Sequence, residues 1–262
     1  MATDRNGVQR FAHVEIEICS HCDCKCWGCD RFINTCPTSP MTVPQVRQFV
    51  QESLDLDWEW ERIHILGGEP TLHTEFREIV QVLLQYKERF PHVLLRVISN
   101  GYGKLFGHRD WLAERGVEVS VEAKKPGTMP AWFVNTRMAP VDENPALIPV
   151  PPCGIFGVKG CGLGLTRHGF FLCGAGASIA RVLGKDIGVM RLEDVTYAAM
   201  KEQAKAICHL CGHWNPPENW PGPKVGSKKM NETGNIMSPF WDAALKDWNP
   251  LPMPLYRAND GI

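Results

Sequence analysis

"CSHCDCKCWGC", residues 19–29, holds five of the chain's 11 cysteines in eleven residues. It follows "VEIEI" (Val14 to Ile18), whose alternation of apolar and acidic residues has the period of two that marks a strand. Within the stretch, Cys22, Cys26 and Cys29 have the spacing CxxxCxxC. Three thiolates on one tight loop can hold three irons of a [4Fe–4S] cluster and leave the fourth iron open to another ligand. A structural zinc site wants four ligands and usually draws them from CxxC pairs.

The rest of the composition narrows the class. The 262 residues are 22% charged and 44% hydrophobic, which fits one large globular domain or one domain with an appendage. A formal net charge of -1 gives no global electrostatic case for nucleic acid or an anionic membrane surface. No run approaches the roughly 20 apolar residues of a membrane span. The start, "MATDRNGVQRF", lacks the apolar core of a signal peptide, so the expected location is the cytoplasm. In that reducing compartment, abundant cysteine points to metal or redox chemistry rather than disulfides.

Outward from the Cys loop, strand and helix patterns alternate. Thr42 can cap a helix with Gln45 at the capping-box position, and Val46, Phe49, Val50 and Leu54 follow one face of it. "RIHIL" (62–66) reads as a second strand, and Phe76, Ile79, Val80, Leu83 and Leu84 as a second helix. "VLLRVI" (93–98) and "VEVSVE" (117–122) give two further strands, with a short helix over 109–115 between them. This alternation implies parallel pairing, and too few units for a complete eight-fold barrel. Residues 124–152 carry many prolines and no clear period. A hairpin is expected where "GLGLT", a turn at "RHG" and "FFLC" follow one another, and a helix over 194–207 leads into "CHLC". The tail from 212 is rich in Pro and Trp, with Trp214, Trp220, Trp241 and Trp248, and "SPFWDAALKDW" is its one helical candidate.

Several motifs together resemble the radical S-adenosylmethionine (radical SAM) superfamily over about residues 12–125. Cys22, Cys26 and Cys29 match its cluster triad, and Trp27 its aromatic position. "GGEP" (Gly67, Gly68, Glu69, Pro70) follows the second strand where the family has its GGE motif; alone, it reads as an ordinary turn before a helix. Ser99 and Asn100, after the third strand, match a region that often contacts the SAM ribose. The resemblance implies a truncated TIM-type βα barrel, with cluster and SAM at the C-terminal ends of the strands. It implies a cofactor-binding set of Trp27, Gly67, Gly68, Glu69, Pro70, Ser99, Asn100 and Ser120. In it the glycines let the backbone approach the methionine amino group, and Glu69 faces that ammonium. Reductive cleavage of SAM then yields a radical that abstracts hydrogen from substrate, with an electron donor such as flavodoxin or ferredoxin.

The C-terminal cysteines, Cys153, Cys161, Cys173, Cys208 and Cys211, resemble the auxiliary-cluster appendage of such enzymes in its short "twitch" form. The longer SPASM form needs about seven cysteines. The expected ligands of a second [4Fe–4S] cluster are Cys161, Cys173, Cys208 and Cys211, with Cys153 as the substitute. The same four could bind zinc as a ribbon. The implied division is 1–150 for the radical SAM core, 151–215 for the twitch-like domain and 216–262 for the tail.

Three reactions stay open. The first is oxidation or epimerisation of a small polar substrate (a sugar, aminocyclitol or nucleoside), with the auxiliary cluster accepting an electron. The second is peptide modification, a reading lowered by the expectation that only about ten residues precede the first strand, where such enzymes often carry a peptide-binding module. The third is an electron carrier without catalysis, which the GGE motif disfavours. Glu17, Glu122 and Cys36 are the candidate catalytic residues. Alternation turns the acids of "VEIEI" and "VEVSVE" toward the barrel lumen with Ser120, unless the fourth strand lies at an open edge. Cys36 is a candidate hydrogen-atom donor or a structural thiol; Cys19 and Cys24 read as small buried apolar residues.

Overall fold

A computed structural model of the chain describes residues 2–3, 9–24, 29, 31–33, 36–122 and 162–211, together with residues 243, 244, 246, 248, 253, 255 and 256. Four strands, β1 (His13–Cys19), β2 (Arg62–Gly67), β3 (Leu94–Ser99) and β4 (Glu118–Val121), lie side by side and parallel. The helices α1 (Val43–Asp55), α2 (Phe76–Arg89) and α3 (Arg109–Ala113) connect them in turn. On the other side of β1, β5 (Leu163–Thr166) pairs in parallel and β6 (Gly169–Phe171) returns antiparallel. The sheet order is therefore β4-β3-β2-β1-β5-β6. This mixed, mostly parallel sheet is consistent with a partial βα barrel. The hairpin of the Cys-rich region extends the main sheet. Among the described residues, no helix is long and apolar enough to cross a membrane.

Local chemistry explains the elements. Thr42 and Gln45 form the expected capping box: the Thr42 side chain accepts from Gln45 N–H, and Gln45 Oε1 accepts from Thr42 N–H at 2.9 Å. The two faces of the sheet differ. Val14, Ile63 and Leu95 stand in register, as do Ile16, Ile65, Val97 and Val119. They pack in one core with Val46, Phe49 and Val50 of α1 and with Ile79, Val80 and Leu83 of α2. The alternate residues form a polar row, Glu15–His64–Arg96–Glu118, across four strands on the opposite face. The apolar residues of β1 thus face the helices, as alternation requires.

A helix absent from the sequence expectations, α4 (Gly174–Val182), follows the hairpin. "GAGASIARV" has poor intrinsic helicity because of its glycines. Packing overrides propensity here. A Cβ at Gly174 would fall within 1.7 Å of the Arg31 guanidinium, and one at Gly176 within 2.8 Å of Ile207 Cδ1. Ala177 and Ala180 pack on Phe171. Thr196 caps α5 (Tyr197–Ile207), three residues inside the expected span.

Tyr256 is clasped far from its own neighbours in sequence. Its N–H donates to Arg167 O, its carbonyl accepts from Gln45 Nε2 at 2.6 Å, and its hydroxyl donates to Glu52 at 2.9 Å. Its ring stands edge-on to Phe170. Ala243, Ala244 and Lys246 of the tail candidate are helical, and Trp248 is half-buried. Cys26, Trp27, Cys153, Cys161, Trp214, Trp220 and Trp241 lie outside the described residues.

Gly164 sits where β5 meets the start of α4. A Cβ there would be 2.8 Å from the backbone at Cys173 and Gly174, which cannot swing aside. Gly164→Ala is therefore expected to lower unfolding free energy by about 1–3 kcal/mol, measured by urea denaturation.

Candidate active site

The Cys loop leaves β1 at Cys19, and β2 ends beside it. Gly68 N–H donates to Cys19 O and Glu69 N–H to His21 O, both at 2.7 Å. No side chain fits between these backbones. A Cβ at Gly67, whose φ is +147°, would lie 2.2 Å from Cys19 O, and one at Gly68 2.1 Å from His21 O. The glycines of "GGEP" thus bring the end of β2 onto the loop that carries Cys22. The close approach observed is to the chain's own backbone.

Glu69 is fully buried, and its carboxylate is met by protein donors on both oxygens. Oε1 accepts from Thr71 N–H and from Thr71 Oγ1 at 2.6 Å, and Ser99 Oγ lies within 3.1 Å of both oxygens. Oε2 accepts from Asn100 N–H at 2.8 Å. A buried carboxylate needs such donors to offset its lost hydration. Glu69 therefore ties the end of β2 to the end of β3. Pro70 is buried in the turn that follows.

Cys22 and Cys29 are half-buried. Cys22 Sγ accepts from Cys24 N–H at 3.4 Å and lies 3.9 Å from Asn100 Nδ2. The ligand atoms of Cys22, Asp23 and Cys24 lie within 4.8 Å of one another. A half-exposed sulfur with N–H donors is suited to the thiolate form that iron requires, so the donor chemistry at Cys22 fits a cluster. Two other thiols contrast with it. Burial pushes Cys19 up to about 11, against the lowering effect of a backbone hydrogen bond from His21. Burial pushes Cys36 up to about 12, partly offset by the Arg181 charge. Both belong to the apolar core.

Glu15 and Glu17 are buried on the polar face, each facing an arginine. Arg31 donates to Glu15 Oε2, and His64 Nδ1 lies 3.8 Å from Glu15 Oε1. Burial raises the Glu15 carboxyl, but Arg31 and His64 outweigh it and hold the group below its usual value. Arg181, from α4, donates to Glu17 Oε1 at 2.8 Å and also to Arg31 O. Ser120 is half-buried on β4, in register with Ile98. Among the described residues β4 is an edge strand, and Glu122 after it is exposed, as is Glu118, which agrees with the open-edge alternative. Arg31, Arg181, His64 and Asp23 were not among the expected site residues. His64 was legible, because "RIHIL" in parallel register sets it beside Glu15. Arg181 was not, because its partner is 164 residues away.

Of the expected C-terminal ligands, Cys173 caps α4 and accepts from Gly176 N–H at 3.2 Å. Cys208 is buried and Cys211 half-buried in the turn after α5. Gly176 adjoins both Cys173 Sγ and Ile207, so the start of α4 meets the end of α5.

Two outcomes follow. In Glu69→Gln, an NH2 replaces one acceptor oxygen among converging donors, which is expected to cost about 1–3 kcal/mol in denaturant unfolding. Glu15 is expected to stabilise the fold in full above about pH 5, with that contribution lost as pH falls through its lowered native value. Glu15→Gln should flatten this acid limb and destabilise at pH 7 by about 3–5 kcal/mol, because Arg31 is left buried opposite a neutral group.

No protein-family model matches the chain, and no curated protein does. Among solved structures, BtrN in complex with AdoMet and 2-DOIA aligns with a TM-score of 0.51 at 16% identity, covering 78% of this chain and 92% of BtrN. SeMet BtrN in an open conformation aligns with a TM-score of 0.48 at 14% identity, covering 92% and 99%. The fold of the chain thus resembles that of BtrN in complex with AdoMet and 2-DOIA.

Proposed function

We propose that the chain is a radical SAM enzyme acting on a small polyhydroxylated substrate. The observation that carries this reading is the packing of Gly67 and Gly68 onto the Cys19–Cys22 backbone, which gathers the cysteine loop, Glu69, Ser99 and Asn100 at the C-terminal end of the parallel sheet. Barrel enzymes place their chemistry at that end. Cys22, Cys26 and Cys29 would hold a [4Fe–4S] cluster, beside a SAM site formed with Gly67, Gly68, Ser99 and Asn100. Bound there, SAM and the reduced cluster would supply radical chemistry capable of removing a hydrogen atom from the substrate.

The polar face of the sheet supports the substrate class. Among the described residues, Glu17 Oε2 and His64 Nε2 are buried with no hydrogen-bond partner. A buried polar atom left unpaired costs about 1–3 kcal/mol, so a hydroxylated ligand would recover that energy. Because Glu15 and Glu17 already face Arg31 and Arg181, this face asks for hydroxyl groups more than for a strong cation. A sugar, aminocyclitol or nucleoside meets that demand; a lipid does not. The complex of BtrN with AdoMet and 2-DOIA agrees with such a substrate.

The finer reading assigns residues 1–150 to the radical SAM core, 151–215 to a twitch-like domain and 216–262 to a tail. Cys161, Cys173, Cys208 and Cys211 would hold an auxiliary [4Fe–4S] cluster that accepts the electron left on an oxidised substrate. A flavodoxin or ferredoxin in the cytoplasm would reduce the first cluster.

Anaerobic reconstitution tests the proposal. The parent should bind about eight irons in two clusters and, with dithionite, convert SAM to 5′-deoxyadenosine. A Cys22/Cys26/Cys29 triple alanine variant should keep about four irons and lose that cleavage. One zinc and four irons in the parent would remove the auxiliary cluster; no cleavage of SAM would remove the enzyme.

A further inference from the structure

Asn100 is buried just after β3, and every polar group of its side chain is committed. Its Oδ1 accepts from Tyr102 N–H at 2.8 Å. A backbone N–H can only donate, so this bond fixes which end of the carboxamide is oxygen. The NH2 end then faces the cysteine loop. It lies 2.6 Å from Asp23 Oδ1 and 3.9 Å from Cys22 Sγ, one hydrogen for each acceptor. Its own N–H is held by Glu69, whose carboxylate also binds Ser99 and Thr71. A continuous chain of hydrogen bonds therefore runs from the buried carboxylate at the end of β2, through the end of β3, to the first cysteine of the loop.

We infer that Asn100 is a positioning residue for the cysteine loop, and that its carboxamide donates a hydrogen bond to the Cys22 sulfur which makes an iron–sulfur cluster bound there easier to reduce. The inference rests on the proposed role of Cys22 as an iron ligand. An N–H directed at a ligand sulfur draws negative charge from it and stabilises the added electron, and such bonds are among the determinants of cluster potential. Glu69 contributes at one remove, by fixing the backbone from which the carboxamide projects. The side chain of Asn100 thereby serves the cluster loop, a role separate from contact with the SAM ribose.

Two variants and one spectroscopic measurement on the full reconstituted chain test this. Asn100→Asp keeps the acceptor for Tyr102 N–H and removes both N–H donors, but adds a charge beside Asp23. The double variant N100D/D23N restores a bond between positions 23 and 100 with its polarity reversed. It has the parent's net charge and still gives Cys22 no donor from position 100. Reduction of the Cys22 cluster, followed by EPR during a redox titration, should be at least tenfold less favourable in both variants, about 59 mV for one electron. A double variant with the parent's potential overturns the inference. Should either variant fail to fold, the parent labelled with 15N-asparagine decides: pulsed EPR of the reduced cluster should detect a nitrogen coupling. A parent that binds the cluster and cleaves SAM but shows no such coupling overturns the sulfur hydrogen bond alone. A parent that takes up no iron overturns it together with the proposed function.

Discussion

The end of β2 touches the backbone leaving β1 with nothing between them, and the rest of the site depends on that contact. Two hydrogen bonds of 2.7 Å, from Gly68 and Glu69, join the segments over a distance that excludes any Cβ. Once the backbones are that close, the Glu69 side chain is buried and must be satisfied by what surrounds it. Thr71, Ser99 and Asn100 do so, and the ends of three strands become one unit. The loop with Cys22 is then borne on a rigid rim, where a site can be held to within a fraction of an ångström.

Beneath that rim the sheet divides its labour. One face is aliphatic and carries α1 and α2. The other carries a row of polar residues in register from Glu15 through His64 and Arg96 to Glu118. The acids of β1 are matched by arginines from two distant places, Arg31 just past the Cys loop and Arg181 on α4. Arg181 also donates to the carbonyl of Arg31, so one guanidinium joins β1, the exit of the Cys loop and the helix that Cys173 caps. The candidate auxiliary region is thus bound to the core through buried charge. Such pairs add little net stability, but removing one partner is costly because the other is left as an uncompensated buried charge.

Much of this was legible in residues 14–122. Alternation in "VEIEI" and "RIHIL" fixed strands and faces, and Thr42 with Gln45 fixed the start of α1, because these are local patterns. α4 was not legible: its glycines oppose helix formation, and only the closeness of Arg31, Ile207 and Phe171 explains them. The partners of Glu15 and Glu17 were hidden for the same reason, since register across a sheet can be read but a guanidinium arriving from 164 residues away cannot. Glu69, Ser99 and Asn100 were recognised as a group from motif spacing. That they bind one another follows from three strands ending together, which spacing alone does not encode.

The capping box of α1 has a second use. Gln45 closes the box with its oxygen, while its nitrogen holds the carbonyls of Arg167 and Tyr256. The first turn of an early helix is thereby a latch for a residue 211 positions later. The cap needs only a few neighbouring residues and can form early; the latch must close a very long loop, whose entropic cost delays it. During synthesis, the helix would wait with its amide exposed until Tyr256, 211 positions later, has emerged. The seating of Tyr256 then becomes a late step of assembly.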